Sequence, residues 1–386
     1  VKDNMAERFH TSHNQNLQNA YGAWAATMPI DSIVAIALSD PIHAISAFFA
    51  CAHVERRACI VTQNMLADLD NQFTPLTTQL QSSNTPVKAG KANSFITFTS
   101  GSTNKPKAIV RNQDSWIYSF ERNGVTADDS VAVFGSLSHS LAHYAACEAL
   151  HMGAKVIFCA KRLSGNPTVI YATPTQIKLA TTKHAPQPNV RLLMIGGGHF
   201  TKTERAVCKQ HFPNADIRVF YGTAETSFIS IADENTPDGS VGQVYDGVNF
   251  IVSNRLVAVQ TPMLALGYLD KVKPFDQSTP FETGELGWID AQGNLFLYGR
   301  SDRAVTIADK SVHLDAIEAD LLTQINVARA GVIALPDSKR GLRAYGATTG
   351  ASAAHPLLAD NLVLDEWPEL LSGKTDYVRL TKILTQ

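Results

Sequence analysis

The chain has 386 residues, with 33 Lys plus Arg against 35 Asp plus Glu and a formal net charge of -2. So even a balance gives no electrostatic footprint for nucleic acid or an anionic membrane. A hydrophobic content of 45% suffices for a large core divided over two or three domains, and the expected partners are small molecules.

No apolar run reaches the roughly 18 residues of a membrane span, and residues 1–10 lack the basic start and apolar core of a secretion signal, so a cytoplasmic location is expected. Cys51, Cys59, Cys147, Cys159 and Cys208 lie on apolar segments without CxxC spacing. Buried free thiols are expected, not disulfides or zinc ligands.

In chain order, residues 33–38 read as a strand, the run from Pro41 through Val54 as a helix, and 58–61 as a second strand, making a βαβ unit. Residues 69–93 are polar and read as a loop. The apolar positions Phe95, Ile96 and Phe98 then lead straight into Thr99, Ser100, Gly101, Ser102 and Thr103, with Lys107 just beyond Pro106. Four hydroxyls, a glycine that lets backbone amides approach and a compact cation suit a triphosphate. Pro106 and the strand-like 108–111 exclude a Walker loop, which continues into a helix. By residue type alone the same stretch also fits a polar surface turn.

Strands at 130–134, 155–158, 168–171, 191–195 and 216–220 alternate with helices at 139–152, from Pro174, and at 201–211. Repeated βα units predict a largely parallel sheet covered by helices, with ligands gathered beyond the carboxyl ends of its strands. Three segments stand at such ends, those after Phe98, Ile195 and Phe220. His139 begins one of the helices and also fits a satisfied core histidine. Gly197 and Gly198 follow 191–195 and would let backbone lie flat against a planar ligand, or simply make a tight strand-to-helix turn. Tyr221, Gly222 and Thr223 follow 216–220 with Glu225 close behind, offering an aromatic face for a base, close approach, and a carboxylate able to hold Mg²⁺.

After about residue 240 short strands with turns predict a small β subdomain, about 240–298. Glu285 within it and Arg300 just beyond it also fit solvated turn charges. Beyond Asp302, a helix at 314–325, strands at 331–335 and 342–345, and a closing helix after Lys374 make a compact α+β unit.

In this collinear order the motifs resemble the signatures of the acyl-adenylate-forming superfamily, which includes acyl- and aryl-CoA ligases, peptide-synthetase adenylation domains and luciferase-type enzymes. The matching residues are TSGSTNKPK at 99–107, YGTAE at 221–225, TGE at 283–285, GRSD at 299–302 and SGK at 372–374. The chain departs from the usual pattern at Asn104, Ala108, Ala224, Glu285 and Asp309, and both domains look shortened. The resemblance implies an α/β domain over 1–301 and a small mobile α+β lid over 302–386, hinged at Asp302. It implies ATP and Mg²⁺, the metal on Glu225, an adenine wall at Gly197 and Gly198, ribose contacts from Glu285 and Arg300, His139 at the acyl pocket, and Lys374 as the catalytic lysine. The implied reaction joins an aryl or modest acyl acid to ATP, giving acyl-AMP and pyrophosphate, after which a thiol displaces AMP. CoA is the expected thiol and the phosphopantetheine of an acyl carrier protein the alternative. A nucleotide-binding regulatory protein without ligase activity is the second alternative, motivated by Ala224, Glu285 and Asp309.

Overall fold

The apolar runs of the sequence pair into a central sheet of 11 strands. The computed structural model describes residues 12–69, 73–81, 94–99, 107–160, 162–181, 185–198, 200–271, 273–307, 310–337, 341–369 and 375–385. Strands Lys155–Cys159, Ser130–Phe134, Val169–Ala172, Leu192–Gly196 and Asp216–Thr223 lie side by side and parallel. Because successive strand residues point to opposite faces, Val131, Val133, Tyr171 and Met194 enter one core while Ala132, Phe134, Ile170 and Ile195 enter another. Burial on both faces is what a helix-covered parallel sheet requires. Helix Ser140–His151 covers the first face, with Pro41–His53 of a separate three-stranded sheet packed on it through Phe48 and His143, and Pro174–Thr181 and Lys202–His211 cover the second.

At Asp216–Thr223 the sheet changes character. Ser227–Ala232 folds back antiparallel to it, and the strands expected after residue 240 continue the same sheet, in the order Ser240–Val244, Asn294–Arg300, Phe281–Ile289, Leu256–Gln260 and Asn249–Ser253. They are joined edge to edge with the parallel run.

Several elements went unread in the sequence. Residues 69–93, expected to be a loop, contain the strand Phe73–Leu76, which pairs in parallel with Ile33–Ile36. Pro75 is tolerated because this strand is the edge of its three-stranded sheet. Helices Ser12–Ala26 and Asp114–Asn123 are among them, as are the short helix Gln63–Ala67 and strand Leu358–Val363. All five cysteines are buried and free. No helix among the described residues is long and apolar enough to cross a membrane.

Beyond Ser301–Arg303, a single 3-10 turn, strands Arg329–Asp337, Gly341–Thr349 and Leu358–Val363 form their own sheet. It packs with helix Leu314–Leu322 in one apolar cluster and with helix Tyr377–Leu384 in another, and neither cluster includes a residue before Val305.

Behind the parallel strands lies a wholly buried polar network. Tyr171 and Asn123 both donate to the Glu148 carboxyl, Asn123 at 2.8 Å, and Tyr245 donates to Asn123 Oδ1 at 2.8 Å. Burial pushes the Glu148 carboxyl up to about 8, so the folded chain keeps a proton there that the unfolded chain, near about 4.3, has lost. Folding then binds the extra proton, and stability declines as pH rises from about 4 toward about 8. Glu148→Gln, neutral at every pH, should gain thermal stability over wild type steadily from roughly pH 5 to pH 8. Melting curves showing the same gap at both ends would contradict a buried, protonated Glu148.

Candidate functional site

The hydroxyl-rich segment begins where strand Ser94–Phe98 ends. That strand is buried along Phe95, Ile96, Thr97 and Phe98 and pairs antiparallel with Ala108–Asn112, so the two ends of the expected phosphate loop are held together. Thr99 N–H donates to the Lys107 carbonyl at 3.0 Å, and Lys107 N–H donates back to Thr99 Oγ1 at 3.0 Å. Lys107 is exposed. Ser100, Gly101, Ser102 and Thr103 lie outside the described residues, as does Lys374, although its flanks Glu369 and Thr375 are bridged.

The aromatic-plus-acid segment was expected just after a strand. Tyr221, Gly222 and Thr223 are instead the strand's own last residues, with a bulge between Tyr221 and Gly222. Residues 224–226 make the turn into Ser227–Ala232, where Ser227 is a non-glycine residue at φ 58°. The reversal is so tight that a Cβ at Gly222 would meet the Ser227 carbonyl oxygen at 1.9 Å. Only glycine fits there.

Arg111 joins the two segments. It stands on the second strand of the first hairpin, is 0% exposed, and reaches under the 224–226 turn. One Nη donates to the carbonyls of Ala224 (2.6 Å) and Glu225 (3.3 Å), and the other to Ser227 Oγ (2.7 Å) and the Met263 carbonyl (2.5 Å). Burial lowers its pKa to about 10, which leaves it charged at neutral pH. Sequence reasoning passed over Arg111 as part of a strand. The only available signal was its position two residues after Ile109, on the face that the strand buries.

Tyr268 completes the junction. Strand Gly267–Tyr268 pairs with Ala108–Asn112, opposite Val110 and Ile109, so its phenol lies beside both segments. Tyr268 Oη donates to Glu225 Oε1 at 2.8 Å, and the Lys107 ammonium lies 5.3 Å from its ring centre. Burial, with the Glu225 charge adding to it, raises the Tyr268 pKa, which keeps the phenol a donor. Glu225 Oε2 accepts no hydrogen bond among the described residues. A hard carboxylate oxygen so presented suits Mg²⁺, which takes one or two carboxylates together with phosphate oxygens.

At the neighbouring strand end, Gly197, at φ +83°, and Gly198 are exposed beside the end of Asp216–Thr223. The close approach belongs to the glycine before them: a Cβ at Gly196 would lie 2.1 Å from the Phe220 ring, so the planar group packed there is the protein's own. Tyr221 is partly buried, and its phenol is raised by burial and then by the Glu285 charge. Glu285 pairs directly with Arg300 across adjacent strands. The Arg300 side chain, however, is held by Asp302, donating from Nε and Nη2 at 2.9 Å each. His139 caps helix Ser140–His151 without a side-chain capping bond, and burial lowers its pKa.

A family model described as AMP-binding enzyme matches residues 34–262, which include Thr99, Lys107, His139, Tyr221 and Glu225. A protein named as a putative long chain fatty acid-CoA ligase, VraA of Staphylococcus epidermidis, is 30% identical over 271 residues, covering 64% of this chain and 58% of its own length. An uncharacterized acyl-CoA ligase of Bacillus subtilis, YhfT, is 26% identical over 337 residues, covering 76% of this chain and 69% of its own. The chain thus spans under two thirds of the length of the first of these relatives. In structure, the O-succinylbenzoate Coenzyme A synthetase of Bacillus subtilis in complex with ATP and magnesium ion superposes with a TM-score of 0.79 at 17% identity, over 95% of this chain and 92% of that one, which establishes the shared fold. With well over half of its residues matched by the family model, this chain belongs to the AMP-binding enzyme family.

Proposed function

We propose that the chain is an AMP-forming acid–thiol ligase that joins a small carboxylic acid to CoA through an acyl-adenylate. The observation that carries this reading is the junction at Tyr268, which sets a cation and an anion from segments more than a hundred residues apart against one ring. A magnesium triphosphate needs that pair: an ammonium for its phosphate oxygens and a carboxylate for its metal. Family membership and relatives named as acyl-CoA ligases support the same reading.

In the first step a carboxylate oxygen of the acid attacks the α-phosphorus of ATP, the bond to the bridging oxygen breaks, and pyrophosphate leaves. In the second, the CoA thiol loses its proton to solvent, its sulfur attacks the acyl carbon, and AMP leaves. Thr99 and Lys107, with Ser100, Gly101, Ser102 and Thr103, cradle the phosphates. Glu225 would hold Mg²⁺, which when bound neutralises charge developing on the phosphates. Gly197, Gly198, Tyr221, Gly222 and Thr223 face the adenine, Glu285 and Arg300 the ribose, and His139 borders the acid. Asp302, in the turn between strands Asn294–Arg300 and Ala304–Ile307, is the hinge separating 1–301 from 302–386. Lys374 brings an ammonium to the reacting carboxylate and α-phosphate, an interaction strongest in the transition state.

The deciding experiment is acid-dependent ATP–pyrophosphate exchange across a panel of aryl and short- to medium-chain acids. Exchange with at least one acid is expected, followed by transfer of label to CoA; ATP binding without exchange on any acid would refute the ligase. Lys374→Ala should lower the exchange rate about a hundredfold or more while leaving the melting temperature unchanged. Wild-type exchange rates in that variant would remove Lys374 from the reaction. Glu225→Gln should raise the Mg²⁺ concentration needed for half-maximal exchange, and an unaltered requirement would place the metal elsewhere.

A further inference from the structure

Arg111 is a wholly buried cation whose bonds, among the described residues, all go to neutral oxygens: three backbone carbonyls and the Ser227 hydroxyl. Taking a guanidinium out of water is costly, typically several kcal/mol, and usually calls for a carboxylate in return. Here the Glu225 carboxylate acts on Arg111 only through space, its hydrogen bond among the described residues being the one from Tyr268. An apolar side chain of similar size would fill the space against Trp116, 5.8 Å from the guanidinium, but would leave the Ala224 and Met263 carbonyls without these donors. Lysine would keep the charge and lose the fork, because one ammonium cannot serve acceptors on both the 224–227 turn and the 263–268 segment in the planar arrangement that two Nη groups provide.

What the fork joins is specific. The Glu225 carbonyl is held from one side by Arg111 and from the other by the Ala265 N–H at 2.8 Å. The Leu266 N–H in turn donates to the Val110 carbonyl, the residue before Arg111, at 2.8 Å. The turn carrying Glu225, the segment carrying Tyr268 and the strand that follows Lys107 are thus closed into one ring of bonds with Arg111 at its centre.

We propose that Arg111 is a positioning residue for acid activation: from the strand that begins beside Lys107 it grips the backbone of Ala224 and Glu225, and so fixes the Glu225 carboxylate relative to the Lys107 ammonium. The assignment rests on the ligase reading above for its reaction, and on the ring of bonds alone for its geometry. Arg111 acts through Glu225 and touches no substrate itself.

The test is a double-mutant cycle in nucleotide binding, with wild type, Arg111→Lys, Glu225→Gln and the double variant titrated calorimetrically with ATP, with and without Mg²⁺. Arg111→Lys is expected to weaken binding of Mg²⁺-ATP about tenfold, to leave metal-free ATP binding and the KM for the acid unchanged, and to cost nothing further once Glu225 is Gln. Equal weakening with and without metal, an additive loss in the double variant, or no loss at all would each overturn the proposal. If Arg111→Lys does not fold, Ser227→Ala, which removes one acceptor of the fork, carries the same cycle: a smaller loss confined to Mg²⁺-ATP supports the assignment, and a loss shared with metal-free ATP or none at all overturns it. Acid-dependent exchange is measured separately on wild type, so a failed ligase reading shows there while the binding cycle still judges Arg111.

Discussion

The closing bond of this site is a buried guanidinium under a turn. The residues expected to meet a nucleotide come from three stretches of chain remote in sequence: the hairpin ending at Asn112, the reversal at 224–226 and the irregular run from Met263 to Tyr268. Backbone bonds and Tyr268 link them in pairs, and among the described residues Arg111 is the one side chain bonded to the last two from the strand of the first. Each is locally well formed, yet local order fixes none of the distances between them. Arg111 fixes them from beneath, where water does not compete for its donors, and that is why four bonds from one side chain can set a geometry that surface ion pairs, screened and mobile, could not.

The sheet explains why these stretches meet at all. Five parallel strands deliver their carboxyl ends to one edge, and two of those ends carry Gly197 and Tyr221 side by side. The next strand runs antiparallel, so the chain must reverse within 224–226 at that same edge. A reversal this tight needs Gly222 and a left-handed Ser227, and it lifts Glu225 clear of the sheet toward Tyr268. The acid's location is therefore a consequence of the change from parallel to antiparallel pairing.

Much of this was legible in the sequence because its periodicity was strong. The doubly buried strands read as apolar runs, and the helix that His139 caps and the hairpin entering at Thr99 fall where the pattern puts them. What was not legible depends on partners remote in sequence. Phe73–Leu76 is four residues long with a proline inside it, and only its neighbour Ile33–Ile36 makes it a strand. Arg111 looks like a surface charge until the turn 113 residues away is seen above it. Gly197 and Gly198 suggest room for a planar ligand, whereas at Gly196 just before them Phe220, opposite on the paired strand, already fills the place. Local pattern reports which residues are buried; it does not report against what.

A second arginine gathers the elements beyond residue 304 as Arg111 gathers those before it. Just past Asp302, Arg303 bonds the carboxylates of Asp315 and Glu318 and the Val332 carbonyl, with the Tyr377 ring centred 4.1 Å from its guanidinium. Its partners, two of them carboxyl groups, lie on elements after residue 304, so Arg303 belongs to the second set of strands and helices as firmly as Arg111 belongs to the first. Between the two anchors stands Arg300, half-exposed, with Nε and Nη2 both on Asp302. That edge of the guanidinium cannot grip Asp302 and a ribose or phosphate oxygen at once. In the proposed enzyme, a nucleotide contact from this edge and the Arg300–Asp302 pair exclude each other.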